Sequence, residues 1–238
     1  MEKERKNASV LLKKSKIMQK LLLILLCLPM IGFGQNVYIP DANFKAYLVG
    51  EPSINTNGDN EIQVSEASAF NGGIYCTYMN IADLTGIEAF TAITNLHCYD
   101  NQLTSLDVSN NTALTDLSCG NNQLISLDVS NNTALDWLIC YHNQLISLDV
   151  NGANSLINLE CDNNQLISLD VSNNTALTYL TCRGNQLTSL AVNNNTALTM
   201  LKCESNQLTS LDVNSATSLI DFQCFNNYIT SLDVSNNT

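Results

Sequence analysis

Seven cysteines, Cys98, Cys119, Cys140, Cys161, Cys182, Cys203 and Cys224, recur at an interval of twenty-one residues. A leucine stands two places before each of the first six, Phe222 stands before the last, and an asparagine follows each by three. Residues 114–134, LTDLSCGNNQLISLDVSNNTA, hold one full period and reappear almost unchanged when shifted by that interval in either direction. A chain this periodic does not wrap one globular core. Each unit must bury its apolar face against the next, which makes a stacked solenoid.

The unit has a finer grain. Leu117-Ser118-Cys119 with Asn122 is echoed by Leu127-Asp128-Val129 with Asn132. Each coil thus carries two copies of Leu-x-Φ-x-x-Asn, where Φ is Cys or Val. Alternation with period two predicts a strand with Leu and Φ facing inward. The links between the two strands are short and rich in Asn, Ser and Thr, which suits turns and leaves no room for a helix. The expected fold is mainly β: a right-handed solenoid with two short parallel strands per coil and no helix after about residue 75.

This pattern resembles the nested leucine-rich repeats of bacterial proteins over about residues 94–238. Just before it, Ile81-Ala82-Asp83-Leu84-Thr85-Gly86-Ile87 with Phe90, Ile93 and Leu96 resembles the 22-residue internalin repeat, and Cys76 precedes Cys98 by twenty-two. The solenoid is therefore expected to span 74–238. Its regular coils stop at Thr238 within a link. The resemblance to exported relatives that end in a sorting or anchoring domain implies that further chain follows.

Two segments precede the repeats. Residues 1–34 read as an export signal: a basic stretch ending at Lys20, the apolar run Leu21 to Ile31, and Gly32-Phe33-Gly34 before a cleavage near Gln35. That run is too short for a bilayer, which needs about twenty residues. Met18 is an alternative start, and Leu26 before Cys27 is too bulky for lipoprotein processing. Residues 35–73 read as a small helical cap on the first coil. Asp41 is an N-cap for an apolar-periodic segment over 42–48. Residues 55–66 match an EF-hand calcium loop, with Asn55, Asn57, Asp59, Glu61 and Glu66 as candidate ligands. Asn55 replaces the usual charged first ligand and Asn60 the usual turn glycine. The other reading is a loop held by its own hydrogen bonds, and the internalin resemblance, whose EF-hand-like cap works without metal, implies that one.

Charge narrows the function. Beyond residue 34 only Lys45, Arg183 and Lys202 oppose twenty acids, a formal −17. Such a surface repels nucleic acid and anionic membranes and favours cations or basic partners.

Three rows run in phase with the period. Stacked cysteines stand about 4.8 Å apart with parallel Cα–Cβ directions, whereas a disulfide needs Cβ atoms about 3.8 Å apart in a rotated geometry. A ladder of small buried thiols is expected, and a straight row cannot make a tetrahedral metal site. The asparagines 101, 122, 143, 164, 185, 206 and 227 form a second ladder that can satisfy turn backbone. Asn111, Asn132, Asn174, Asn195 and Asn237 repeat it in the other strand, broken by Ala153 and Ala216. NNT sequons at Asn110, Asn131, Asn173, Asn194 and Asn236 are by-products of turn composition. The third row is Asp107, Asp128, Asp149, Asp170, Asp212 and Asp233, interrupted by Ala191. Carboxylates so close repel unless hydroxyls, protons or cations relieve them.

The residues flanking Leu and Cys in the first strand change at every coil: Asn95-His97-Tyr99, Asp116-Ser118-Gly120, Trp137-Ile139-Tyr141, Asn158-Glu160-Asp162, Tyr179-Thr181-Arg183, Met200-Lys202-Glu204 and Asp221-Gln223-Phe225. Varied, aromatic-bearing positions on a rigid scaffold read as a recognition face. Its expected centre is Trp137, Ile139, Tyr141, Tyr179, Tyr99, His97, Arg183 and Phe225, with Gly120 leaving space beside Tyr141. The expectation is a secreted or surface-displayed binding module for a protein or glycan. The alternative is a structural surface protein with an acidic, calcium-dependent face. His97 and His142 lie in different columns and no nucleophile–base set converges, so an enzyme is not expected.

Overall fold

Period-two alternation with β-branched and leucine residues decides the backbone, and the strands are short because each must reach a corner within a few residues. The structure, a computed structural model, describes residues 35–237. The export segment expected over 1–34 lies outside them.

The first strands are β1 (Gly73–Tyr75), β2 (Asn95–His97), β3 (Asp116–Ser118), β5 (Trp137–Ile139), β7 (Asn158–Glu160), β8 (Tyr179–Thr181), β9 (Met200–Lys202) and β10 (Asp221–Gln223). They form one parallel sheet in chain order, a strand per coil. Register places Leu96 on Leu117, Leu117 on Leu138, and so on to Leu201 on Phe222. The leucines and cysteines behind this sheet join the valines of the facing arm in one continuous apolar column. The chain is thus a mainly β leucine-rich repeat solenoid.

Each first strand ends at a corner in the left-handed region. Asp100, Asn121, His142, Asn163, Gly184, Ser205 and Asn226, two places after each cysteine, all have φ between 51° and 64°. Asn, Asp, His and Gly are the residues that take this conformation at least cost. His142 is therefore a corner residue.

The inward asparagine follows one place later and ties its own coil to the preceding one. Asn122 Nδ2 donates to the carbonyls of Cys119, Gly120 and Cys98, each at 3.1 Å, while its Oδ1 accepts from Leu103 N at 3.0 Å. Asn143, Asn164, Asn185 and Asn206 repeat this pattern. The second asparagine row is buried too, donating from Nδ2 to two carbonyls, as Asn132 does to Val108 and Asn111. All eight described cysteines are free thiols. Burial pushes Cys76, Cys119 and Cys203 up to about 12.

The second arm departs from expectation. Only β4 (Ser126–Asp128) and β6 (Ser147–Asp149) pair as regular strands there, with one further bridge between Asp170 and Ala191. The aspartate row does not decide which coils pair: Asp128 and Asp149 belong to the paired strands, and Ala191, without the carboxylate, makes only the bridge. Asp107, Asp128, Asp149, Asp170, Asp212 and Asp233 each accept, through Oδ1, the backbone N–H two residues ahead at 2.8–3.0 Å. This Asx turn satisfies that amide locally at the end of the arm. It also relieves the row's charge: the Ser109 and Ser172 hydrogen bonds hold Asp107 and Asp170 below the usual carboxylate range. One short 3₁₀ turn, Ile87–Ala89, enters after Gly86 in the first coil, where no helix was expected.

Two helices precede β1. Asp41 caps α1 (Ala42–Gly50) by accepting from Asn43 N and Phe44 N, and α2 (Val64–Ala69) starts with a capping box between Gln63 and Glu66. Phe44, Leu48, Ile54 and Ile62 are buried and continuous with the apolar column of the coils. Asp41 Oδ2 also accepts from Ala82 N, and the Tyr47 hydroxyl accepts from Tyr75 N. Both cap helices therefore pack on the first coil. Among the described residues no helix is long and apolar enough to cross a membrane.

Candidate functional site

Because Leu and Cys point inward, the three alternate positions of each first strand stand on the outer face of the eight-stranded sheet, in three columns. Parallel register puts Trp137 between Asp116 and Asn158, Ile139 between Ser118 and Glu160, and Tyr179 beyond Asn158. Trp137 is 49% exposed, while Ile139 and Tyr141 beside it are partly covered. Trp137, Ile139 and Tyr141 thus do share one face of one coil.

Toward the cap, this aromatic surface extends further than expected. Tyr75 meets His97 edge-on at 5.0 Å, and Tyr78 meets Tyr99 edge-on at 5.4 Å. Tyr75 and Tyr78 are both exposed. Carrying the column of His97 back by one 22-residue unit lands on Tyr75, so the sequence did hold this signal. His97 Nε2 lies 3.0 Å from Asp116 Oδ2 across adjacent coils. The Asp100 carboxylate beside the exposed Tyr78 raises its phenol above the ordinary value.

Gly120 does not leave open space. A Cβ built there would meet the Tyr141 ring at 3.1 Å and the Tyr141 carbonyl at 3.2 Å. Tyr141 leans over Gly120 and fills the gap. Its neighbour on the far side, Asp162, is buried. There Thr181 Oγ1 donates to Asp162 Oδ2 at 2.9 Å, Arg183 N donates to Oδ1 at 3.0 Å, and Arg183 Nε lies 3.2 Å from Oδ2. Burial pushes the Asp162 carboxyl up; the Thr181 hydrogen bond and the Arg183 guanidinium oppose it. Glu204 is likewise buried, between exposed Arg183 and exposed Phe225, with Oε2 unpartnered. Short acids between longer neighbours about 4.8 Å away are covered by them, which is why several outward positions are not exposed.

The face therefore divides. Tyr75, Tyr78, His97, Tyr99, Trp137, Ile139 and Tyr141 form an aromatic half near the cap. Glu160, Asp162, Arg183, Lys202, Glu204 and Asp221 form a charged half, where Lys202 Nζ lies 3.3 Å from Asp221. Tyr179 marks the boundary. Phe225 stands four coils beyond Tyr141 and does not join the aromatic half.

The five candidate calcium ligands are drawn together in the cap loop, but as hydrogen-bond partners. Glu66 Oε1 accepts from Thr56 N at 2.8 Å, Thr56 Oγ1 at 2.9 Å and Asn57 N at 3.2 Å, and its Oε2 accepts from Gln63 N at 3.0 Å. Asn55 turns its Nδ2 into the loop, donating to Asp59 O at 2.8 Å and Val49 O at 3.0 Å. Asn57 Nδ2 donates to Asp59 Oδ2, and Glu61 Oε1 pairs with Lys45 Nζ at 2.7 Å. Burial raises the Glu66 carboxyl, yet the bonds from Gln63, Thr56 and Asn57 outweigh it and hold the group below its usual range. Amide donors occupy positions where a calcium ion needs oxygens. These contacts close the loop on itself as a hydrogen-bonded cap.

The sequence matches no protein-family model, and no curated protein matches it. Solved structures do match. An internalin (inlF) of Listeria monocytogenes aligns over 85% of this chain and 62% of its own, at 24% identity and TM-score 0.72. Internalin C2 of the same organism aligns over 87% and 95%, at 21% identity and TM-score 0.69. A leucine-rich repeat protein of Leptospira interrogans aligns over 69% and 45%, at 21% identity and TM-score 0.63. This chain thus spans less than two thirds of the inlF chain and under half of the Leptospira one. At these identities the likeness carries the fold: an internalin-like leucine-rich repeat solenoid.

Proposed function

We propose that the chain is a secreted or surface-displayed binding module whose outer first-strand face recognises a protein partner. One observation carries this reading. The inward residues of the sheet repeat coil after coil, while the outward ones change at every coil and place an exposed Trp137 among partly covered aromatic residues. An exposed aromatic cluster bordered on one side by charged groups suits a binding hot spot. The strong negative charge favours a partner with basic groups, and Arg or Lys side chains gain further by stacking on Trp137 or the tyrosines.

No catalytic role is part of this proposal. His97 faces an aspartate and an aromatic edge, and His142 serves a corner.

The test is a binding screen of the chain from Gln35 onward against cell-surface proteins and a glycan array, each hit repeated with Trp137→Ala. A protein hit lost in Trp137→Ala supports the reading. A glycan hit lost in the same variant keeps the face and changes the ligand class. Binding that survives Trp137→Ala but needs Ca²⁺ and the aspartate row favours an acidic structural surface.

A further inference from the structure

A second exposed feature lies off the first-strand sheet. At the entry to the second arm, Ile125, Ile146 and Ile167 occupy the same position of three successive coils and are 51%, 57% and 62% exposed. Ile146 N donates to Ile125 O at 2.9 Å, so these positions stack in register. The flanking coils carry Thr104 on one side and Thr188, Thr209 and Thr230 on the other. Threonine meets the same β-branched backbone preference with a hydroxyl for water. The three isoleucines are therefore not required by the fold.

Three residues further along each of these coils stands an exposed aspartate: Asp128, Asp149 and Asp170. The coil that ends the isoleucine row, at Thr188, also breaks the aspartate row, at Ala191. Apolar and acidic rows thus run side by side over these three coils and end together at Thr188 and Ala191, while the aspartate row starts one coil earlier at Asp107 and resumes at Asp212. A second copy of this chain would bring a like aspartate row and a like net charge against this one, so charge disfavours self-association through this surface.

We propose that the isoleucine row and its aspartate row form a second docking surface for a basic amphipathic helix of a protein partner. Spacing selects the helix. Paired coils repeat about every 4.8 Å, so the outer isoleucines lie about 9.6 Å apart along the stack. A helix repeats its apolar stripe about every 5.4 Å and drifts by about 1.2 Å over that span. An extended segment repeats one face about every 6.7 Å and drifts by about 4 Å. Lys or Arg residues on the flank of such a helix reach the aspartates, whose Oδ2 atoms remain available because the Asx turns use Oδ1.

The test uses a fluorescent designed peptide with leucines at i, i+4 and i+7 and lysines along one flank, titrated into the chain from Gln35 onward. Two controls have the same composition, one scrambled and one alternating Leu and Lys in a strand pattern. The protein variant Ile125→Thr/Ile146→Thr/Ile167→Thr adopts residues that other coils already use, so its folding is safe. The helical peptide is expected to bind at least tenfold more tightly than either control and to lose at least tenfold in that variant. Asp128→Asn/Asp149→Asn/Asp170→Asn should flatten its salt dependence, and Trp137→Ala should not change it, which separates this surface from the first. Equal binding of the strand-patterned peptide, or binding indifferent to the isoleucines, overturns the proposal. So does self-association in sedimentation that the threonine variant abolishes.

Discussion

The asparagine of each corner does more than any other polar residue here. Asn143 is buried, donates from Nδ2 to the carbonyls of Cys140, Cys119 and Tyr141, and accepts from Leu124 N. Asn143→Ala leaves those groups unpaired in a dry interior, so chemical denaturation should show a loss of about 2–4 kcal/mol. Exposed corner residues should cost far less. The thiols give a second test at this scale. With buried groups pushed up to about 12 at Cys76, Cys119 and Cys203, thiolate is scarce at neutral pH and reagents are shut out. The native chain from Gln35 should react slowly with a thiol reagent and the denatured chain at all eight cysteines. Disulfide-linked peptides in a non-reduced digest would refute the ladder. Both ladders were legible in the sequence, because a side chain in a strict period has the same neighbours at every step. The burial of Asp162 and Glu204 was not, since it depends on how far Tyr141, Arg183 and Phe225 lean from adjacent coils.

At the level of elements, two outcomes differ from the sequence reading: few coils of the second arm pair as strands, and the cap loop is closed by its own hydrogen bonds. Leu127-Asp128-Val129 has strand alternation and pairs with the next coil, while Asp170 makes only a bridge to Ala191 although Leu169-Asp170-Val171 has the same alternation. Alternation reports which face is buried but not which coils pair. Two adjacent apolar residues such as Leu124 and Ile125 cannot both point inward, and the fold places Ile125 outside. The cap loop has the spacing of a calcium site but is closed by its own donors. Glu66 is depressed by hydrogen bonds. Its contribution is therefore fully present above the ordinary value of 4.5 and lost as pH falls through the lower, folded value. Glu66→Gln should lower the melting temperature at pH 7 and weaken its fall on acidification. Millimolar Ca²⁺ should leave the wild-type melting temperature unchanged. A rise that Glu66→Ala abolishes would restore the metal reading.

On the function proposed above, the whole molecule separates two tasks onto two sides of the same strands. The inward column of Leu, Cys, Val and Asn makes the solenoid, and its repetition lets neighbouring coils stabilise one another. Leu138→Ala, fully buried in mid-stack, should cost about 2–5 kcal/mol in denaturant unfolding. The outward residues differ from coil to coil, and the exposed ones, Trp137 among them, are open to a partner. The most direct measurement is a paired one on Trp137→Ala: affinity for a protein captured by the wild-type chain, and the denaturation midpoint of the same preparation. The account predicts a loss in affinity of about 2 kcal/mol or more with an unchanged midpoint. Unaltered affinity, or a midpoint lowered as far as by Leu138→Ala, would contradict it.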